Sequence, residues 1–297
     1  MSTEIPILAS LRTLTTEQSG LVTLALRIAS GIPTDFEGQS LSFTLGDLQR
    51  RTSTLLAMAA GQSVNTVLRL IETPGIGIRD AYSVARSAVE SYINASYLLT
   101  EEPGISEKAL RHIPYAKWKY TNRIVGSGAL FLELQTEGTK ASDAANLFPE
   151  FAAKGKNRNW TSLDTPARIA RVGERAGSAA GARLLASYAL IYSLSSEVIH
   201  GSLYGVSHFY GLQRDRQANL EDFLAGTTEQ AEDILIAVMH AAAGYLNAFF
   251  GLQHHEAPAR KEVDLFNRLV DVATSDESPT VQRKVHASRP SARRSPE

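Results

Sequence analysis

A ladder of polar side chains recurs at four-residue spacing in the second half of the sequence. Tyr188, Tyr192, Ser196 and His200 stand four residues apart, so on a helix they share one stripe, and Glu197 lies beside it. Imidazole can act as a general acid or base near neutral pH, and a neighbouring carboxylate can orient it. Most other residues of this segment are apolar, which predicts a buried helix. We therefore expect the Ser–Glu–His cluster to be at least partly buried and to need polar partners.

A second polar ladder, on the segment 78–101, offers those partners. Tyr82, Arg86, Glu90 and Asn94 again repeat every four residues between apolar neighbours. Arg86 and Glu90 can pair along their own helix. If they faced Glu197 and His200 across a core, each member would satisfy the others, and deleting one would leave a buried charge unpaired.

These segments resemble a known family. The matching stretches are RSAVESYINASYL at 86–98, NW at 159–160 and YALIYSLSSEVIHGS at 188–202. Together they are similar to the Domain of Unknown Function 5677 family of bacterial helical proteins, over about residues 80–205. The family pattern falls on Arg86, Glu90, Trp160, Tyr188, Tyr192, Ser196 and His200, while Thr161 and Ser162 stand where a small residue is usual. The resemblance implies a helical fold with a shared polar stripe and carries no established reaction.

Three functions fit the two ladders, and the leading one is a non-catalytic binding or structural module with a buried polar network. The alternative is an RNA nuclease of the HEPN-like kind found in toxins and phage-defence modules. His200 would be its acid or base, Arg86 would stabilise the phosphate, and Glu90, Glu197 or Ser196 would assist. However, HEPN nucleases carry an Arg-x4–6-His motif on one helix, and none of the 7 histidines here has an arginine five to seven residues before it. Whether the chain is an enzyme is left open.

A metal site is the third hypothesis. Glu197 and His200 have the Glu-x-x-His spacing of carboxylate-bridged metal bundles, and Glu90 could add a ligand. Such bundles need a second Glu-x-x-His, which the sequence lacks, so we expect no metal. Gly75 and Gly77 follow Pro74 as a turn and lack the strand–loop–helix context of a phosphate loop. No cofactor is expected.

The middle of the chain is basic. Residues 105–175 carry 12 Lys and Arg against 7 Asp and Glu, and the run from Lys108 to Arg123 has no acid. Tyr115, Trp118 and Tyr120 are interleaved with its cations, a pattern that can hold phosphates and stack bases, although a solvated helix face looks the same. RNA or another protein is therefore the expected partner. The candidate binding residues are Trp160, Tyr188, Tyr192, Arg111, Lys117, Lys119 and Arg123.

Composition sets the class. The chain has 297 residues, 43% hydrophobic and 21% charged, with 30 Lys and Arg against 31 Asp and Glu. This is ordinary for a globular protein, and the lack of cysteine excludes disulfide scaffolds and thiolate metal sites. Periodicity predicts an all-α, bundle-like domain over residues 1–274, with no convincing run of strands. The predicted helices cover about 17–30, 47–72, 78–101, 106–135, 140–152, 165–176, 178–200, 228–252 and 259–274.

The two ends and the apolar helix bear on location and assembly. The start lacks the pattern of a secretory signal, and the apolar segment 235–250 is short for a membrane span, so we expect a cytoplasmic protein that does not bind membranes. The apolar helices at 228–252 and 259–274 favour a homodimer. Residues 275–297 are rich in Ser, Pro and Arg and predict a disordered, solvated tail, the alternative being a basic arm for an acidic partner.

Overall fold

The computed structural model describes residues 6–73, 75, 77–136, 143–152, 159–210 and 220–275. The all-α prediction is confirmed, because the described residues form helices joined by loops, with only two short antiparallel hairpins. The elements, in chain order, are α1 Pro6–Ala29, β1 Thr34–Phe36, β2 Gln39–Leu41, α2 Asp47–Leu70, α3 Gly77–Thr100, α4 Pro103–Thr121, β3 Arg123–Ser127, β4 Leu130–Leu134, α5 Ala144–Leu147, α6 Pro149–Ala152, α7 Thr165–Ala176, α8 Ser178–Ile199, α9 Leu203–Tyr210, α10 Leu220–Leu252 and α11 Glu256–Ala273.

Helices α3 and α10 form the centre of the fold, with α1, α2 and α8 packed around them. Tyr92 of α3 and Tyr245 of α10 are fully buried, and their ring centroids lie 5.5 Å apart. By length and composition the stretch Gly226–Leu252 could cross a membrane, yet 78% of its apolar window is buried inside the fold. Most of its apolar residues are therefore buried within one chain. The apolar composition of this helix is thus no longer an argument for a homodimer.

Two helix starts lie one residue away from their predicted caps. The sequence predicts Asp47 as the cap of α2, whereas Gly46 precedes the helix and its N–H donates to the Gln49 side chain at 3.1 Å. For α7 the sequence predicts Thr165 as the cap, whereas the capping residue is Asp164, whose carboxylate accepts from the Ala167 N–H at 2.9 Å. Both shifts fall within the usual uncertainty of helix boundaries.

The helix predicted over 106–135 is wrong in its second half. Helix α4 ends at Thr121, and a β-hairpin made of β3 and β4 follows. Gly126 has a φ of 107°, and a Cβ there would lie 2.3 Å from the Leu130 carbonyl oxygen, so the hairpin requires glycine at this position. Gly128 turns the chain with a φ of 61°.

Other predictions have mixed outcomes. The sequence predicts a loop with a short extended piece over 32–46, and the structure has the hairpin of β1 and β2 there. The Gly-punctuated stretch after His200, where no helix is predicted, contains α9. Only α5 and α6 represent the helix predicted at 140–152, whose first residues lie outside the described part. Residues 276–297 of the predicted tail also lie outside it.

Candidate functional site

The polar residues of the predicted stripe on α8 do not share one environment. Four residues turn a helix by about 400°, so each step along such a ladder drifts by about 40° around the axis. Tyr188 and Tyr192 meet α3, whereas Glu197 lines a cavity beside α9 and α10, and His200 is exposed. The expectation that one buried cluster contains all of them is therefore wrong.

The first part of the site joins Arg86 and Glu90 of α3 to two tyrosines of α8. Arg86 Nε donates to Glu90 Oε1 at 2.9 Å, which confirms the predicted pairing along α3. The Arg86 guanidinium also lies 4.3 Å from the ring centre of Tyr192, which stacks on Tyr188 with ring centroids 4.5 Å apart. Burial raises the pKa of Tyr188, and the neighbouring Tyr192 adds to this shift. These four residues, the Arg86 cluster, are half-buried.

Arg168 of α7 extends this cluster in a way that the sequence analysis missed. Its guanidinium donates to the Asn94 side chain and, at 2.9 Å, to Thr165 Oγ1. It also lies 5.9 Å from the ring centre of Trp160, a predicted binding residue whose ring is 5.9 Å from that of Tyr97 on α3. Burial lowers the pKa of Arg168, and the Glu90 carboxylate opposes that shift. The sequence did contain a signal for these contacts. Arginines 168, 171 and 175 are three and four residues apart, so on a helix they share one face and can contact the same neighbouring helix.

The other two arginines of that series fasten α7 to the end of α3. Arg171 Nε lies 2.9 Å and Arg175 3.4 Å from the carboxylate of Glu101, which is 7% exposed. Arg175 also donates to the Thr100 carbonyl oxygen at 2.9 Å. The arginines facing α3 from α7 therefore have partners within the fold.

His200 stands apart from the Arg86 cluster. It follows the last residue of α8, its N–H donates to the Ser196 carbonyl oxygen at 3.0 Å, and its side chain is exposed. Gly201, with a φ of 63°, turns the chain at this point. His200 is eight residues beyond Tyr192, or about 12 Å along the helix axis. The predicted burial of His200 is wrong. Helix α8 ends at Ile199, which is itself exposed, and His200 follows it on the surface of the fold.

The metal hypothesis is not supported by this placement. In the described ranges, no group of three His, Asp or Glu side chains could hold a metal ion. Glu90, Glu197 and His200 are all described, so the structure does not bring these three proposed ligands together.

Glu197 instead lines a cavity of 610 Å³ between α8, α9, α10 and α3. Burial raises the pKa of Tyr82, and the nearby Asp233 carboxylate adds to this shift. Burial lowers the pKa of His208, against the opposing effect of Asp233. The lining residues are Tyr82, Ala189, Leu190, Ser193, Leu194, Glu197, Tyr204, His208 and Asp233.

A buried ionic pair does exist in the core, between residues that the sequence analysis did not consider. Arg183 of α8 donates from Nη1 to both carboxylate oxygens of Glu262 at 2.7 and 2.6 Å, and Glu262 is 0% exposed. The Arg183 guanidinium also lies 4.0 Å from the ring centre of Phe266. Burial raises the pKa of Glu262, and Arg183 opposes that shift. This buried pair joins α8 to α11, and neither of its members belongs to the network predicted around Arg86 and His200.

The basic run on α4 is less available than its sequence predicts. Arg111 is paired with Glu150 at 3.1 and 3.2 Å and with Glu107 at 3.0 Å. Tyr115 is buried against Phe148 and Phe151, and Trp118 lies 6.0 Å from the Phe148 ring. These two aromatics therefore hold α5 and α6 onto α4 and are not free to stack on bases.

The exposed remainder of the run leads into the β3–β4 hairpin. Lys117, Lys119, Tyr120 and Arg123 are exposed, and the Arg123 guanidinium lies 5.5 Å from the Tyr120 ring centre. Asn122 fixes the base of the hairpin: its side-chain amide donates to the Trp118 carbonyl oxygen at 3.0 Å, and its Oδ1 accepts from the Thr136 N–H at 2.8 Å. The hairpin therefore projects directly from the end of α4.

Every strand residue of this hairpin is exposed. Cross-strand partners share a face of the ladder, and the pairs Val125–Leu132 and Arg123–Leu134 alternate with Ile124–Glu133. One face consequently carries no acid. Its residues are Arg123, Val125, Ser127, Leu130, Leu132 and Leu134, and we call this face with Lys117, Lys119 and Tyr120 the hairpin surface.

Comparisons with protein-family models, with curated proteins and with solved structures found no match to this chain. The resemblance to the Domain of Unknown Function 5677 family therefore stays a prediction, which rests on the residues quoted for it.

Proposed function

We propose that this chain is a non-catalytic binding module that binds another protein through the hairpin surface. The observation that supports it is the exposure of large apolar side chains on a two-stranded ribbon. Leu130 is 86% exposed and Leu132 60%, although leucine side chains are most often buried. Contiguous apolar surface on a folded chain is typical of interaction sites.

The strand edges offer a second means of binding. A two-stranded hairpin leaves an unpaired row of backbone N–H and C=O groups on its outer sides, and a partner strand can pair with such an edge. An isolated hairpin is only marginally stable in water, so a partner would also stabilise it. Exposed side chains of the strands would then contribute specificity.

Charge indicates the chemistry of the partner. The three exposed cations Lys117, Lys119 and Arg123 lie at or near the base of the hairpin, and Arg123 shares its acid-free face. A protein surface that presents apolar residues flanked by carboxylates would complement both features. RNA would use the cations but would leave the leucines in water, so a protein partner agrees better with the whole surface.

The Arg86 cluster supports a non-catalytic role. It contains no histidine, Arg86 is engaged with Glu90 and Tyr192, and Arg168 is engaged with Asn94 and Thr165. An RNA-cleaving site would need an acid or base beside a cation that is available to the phosphate. We infer that this cluster joins α3 to α8, and that Arg168 joins α7 to α3 beside it.

Site-specific photo-crosslinking in the native host tests the proposal. A benzophenone amino acid at position 130 should give a discrete protein adduct, whereas the same probe at Leu185, an exposed apolar residue of α8, should not. Replacing Lys117, Lys119 and Arg123 by Glu should weaken the adduct at position 130, because the acidic flank of the partner would be repelled.

Three results would contradict this proposal: an RNA adduct at position 130, equal adducts at both positions, or a protein adduct that is insensitive to the charge reversal. An adduct with the mass of two copies of the chain would identify the partner as a second copy.

A further inference from the structure

A groove between α1 and α11 is separate from both the Arg86 cluster and the hairpin surface. Its volume of 430 Å³ falls within the range of about 300–1,000 Å³ that is typical of ligand pockets. Residues of α1 form one wall, Lys261 and Leu265 of α11 form the other, and Phe36 of β1 adds an aromatic ring. We call it the α1–α11 groove, and its size is suited to a small molecule.

The inner surface of the groove is mostly apolar. Leu21, Leu24 and Leu265 bring aliphatic side chains to it, and Leu21 and Leu265 also belong to the hydrophobic core. Gly20 adds no side chain, and a Cβ built there would meet no atom within 4 Å. Packing therefore does not require glycine at this interior position of α1, where it costs the helix about 1 kcal/mol relative to alanine. The missing side chain leaves room for a ligand in the groove.

Arg27 provides a charged group that a ligand can use. Its side chain is exposed and has no hydrogen bond or ion pair with any other residue that the structure describes. Lys261, by contrast, already lies 3.5 Å from the Asp264 carboxylate. A guanidinium that is free in this way can donate two parallel hydrogen bonds to a carboxylate.

The acid at the other end of the groove is already neutralised. Glu17 accepts hydrogen bonds from both terminal nitrogens of Arg268, at 2.7 and 3.0 Å. These bonds hold the pKa of Glu17 below its ordinary value, so the pair stays ionic near neutral pH. Glu17 and Arg27 are ten residues apart, or about 15 Å along the helix axis. An anionic head group would therefore lie at Arg27, and the apolar wall between the two ends would contact the rest of the ligand.

We propose that the α1–α11 groove binds a medium-chain fatty carboxylate, with its head group on Arg27 and its alkyl chain over Gly20 and Leu24. Isothermal titration calorimetry of the full chain near neutral pH and at low salt, with octanoate as the probe, tests it. Octanoate should bind with a Kd of about 1 mM or below. Butyrate keeps the head group but shortens the chain, and n-octylamine keeps the chain but reverses the charge, so each should bind about tenfold more weakly or not at all.

Variants locate the binding. Arg27→Gln should weaken octanoate binding by about threefold to tenfold, because it removes the charged donor. Arg69→Gln makes the same charge change at an exposed arginine of α2 outside the groove, and should leave the affinity unchanged. Gly20→Leu should abolish binding, because the new side chain would occupy the groove. Gly104→Leu makes the same change at an exposed and equally open position of α4, and should not affect binding.

Several results would overturn the proposal. These are no binding of octanoate by the folded wild type, equal binding of butyrate or n-octylamine, and unchanged affinity in Arg27→Gln or Gly20→Leu. Equal weakening by Arg69→Gln or Gly104→Leu would do the same. Circular dichroism of each variant shows whether the fold is retained. Because these titrations need no protein partner, their failure would be distinct from a failure of the function proposed for the hairpin surface.

Discussion

The guanidinium of Arg86 lies 4.3 Å from the ring centre of Tyr192, and this contact joins α3 to α8 across a half-buried surface. Because Arg86 also pairs with Glu90, its charge is balanced on one side while its flat face packs on the other. The contact thus connects the polar ladder of α3 to the polar ladder of α8. It stabilises the fold and leaves little of the arginine for a substrate.

A double-mutant cycle measures this contact. Arg86→Met and Tyr192→Leu should show a coupling free energy of about 0.5–2 kcal/mol in urea unfolding, the range of partly desolvated cation–π pairs. The control pairs Arg86→Met with His200→Ala, which should be additive within about 0.5 kcal/mol because His200 is exposed and belongs to no common cluster. Equal coupling in both cycles would place His200 in the network after all.

The buried pair of Arg183 and Glu262 should matter more for stability than any exposed pair. Glu262→Ala should lower the free energy of unfolding by about 3–5 kcal/mol, since it leaves the Arg183 charge buried and unpaired. Glu17→Ala removes the carboxylate that Arg268 contacts at 2.7 Å on the exposed surface, and should cost about 1 kcal/mol or less. Similar losses in the two variants, measured by urea unfolding, would be the contrary result.

His240 should make stability depend on pH. Burial lowers its pKa from the ordinary value of 6.5, and the Arg183 charge adds to this, against a hydrogen bond with the Ile236 carbonyl oxygen. The unfolded chain therefore binds a proton that the native ring does not. The stabilising contribution is present above pH 6.5 and is lost as the pH falls from 6.5 through the lower native pKa.

The measurement compares His240→Gln with the wild type in urea unfolding at about pH 7.5 and about pH 5.5. The variant should lose less stability on acidification, because its side chain cannot take up a proton. An identical loss in the two proteins would show that the imidazole of His240 has the same pKa in the native and unfolded chains.

The nuclease hypothesis requires His200 to act together with Arg86 at one catalytic site. Because this residue is exposed and about 12 Å along α8 from the Arg86 contact, we expect purified protein to leave RNA intact, both with EDTA and with added divalent metal. His200→Ala should change the free energy of unfolding by no more than about 0.5 kcal/mol. RNA cleavage that disappears in folded His200→Ala and Arg86→Ala would restore the enzyme hypothesis.

Local periodicity explains why the larger helices could be predicted. Apolar residues at three- and four-residue spacing, together with turn residues such as Gly31 and Gly177, mark elements whose formation depends on nearby residues. The Arg86–Glu90 pair was predictable for the same reason, since residues four apart on a helix are neighbours. The β3–β4 hairpin was missed although Leu130, Leu132 and Leu134 alternate after a glycine turn, a signal that the sequence did contain.

The candidate site depends on how α8 is rotated about its own axis relative to its neighbouring helices, and periodicity does not specify this rotation. Glu197 and Tyr192 are five residues apart on α8, yet one lines the cavity and the other meets Arg86, because the packing of α3, α9 and α10 decides which neighbour each face receives. Burial of the whole stripe was inferred from the apolar composition of α8. Composition does not reveal that the helix ends at Ile199, which leaves the side chain of His200 in solvent.

The sequence by itself determined that this protein is all-α, where α2, α3, α7 and α8 run and that Arg86 pairs with Glu90, since each depends on contacts a few residues apart. Only the tertiary structure decided that Arg183 pairs with Glu262, 79 residues away, and that Glu197 shares a cavity with Asp233. Partners that are distant in sequence are chosen by how helices pack and by the burial that packing creates. A linear pattern therefore predicts that a buried charge needs a partner, and the fold selects which one it obtains.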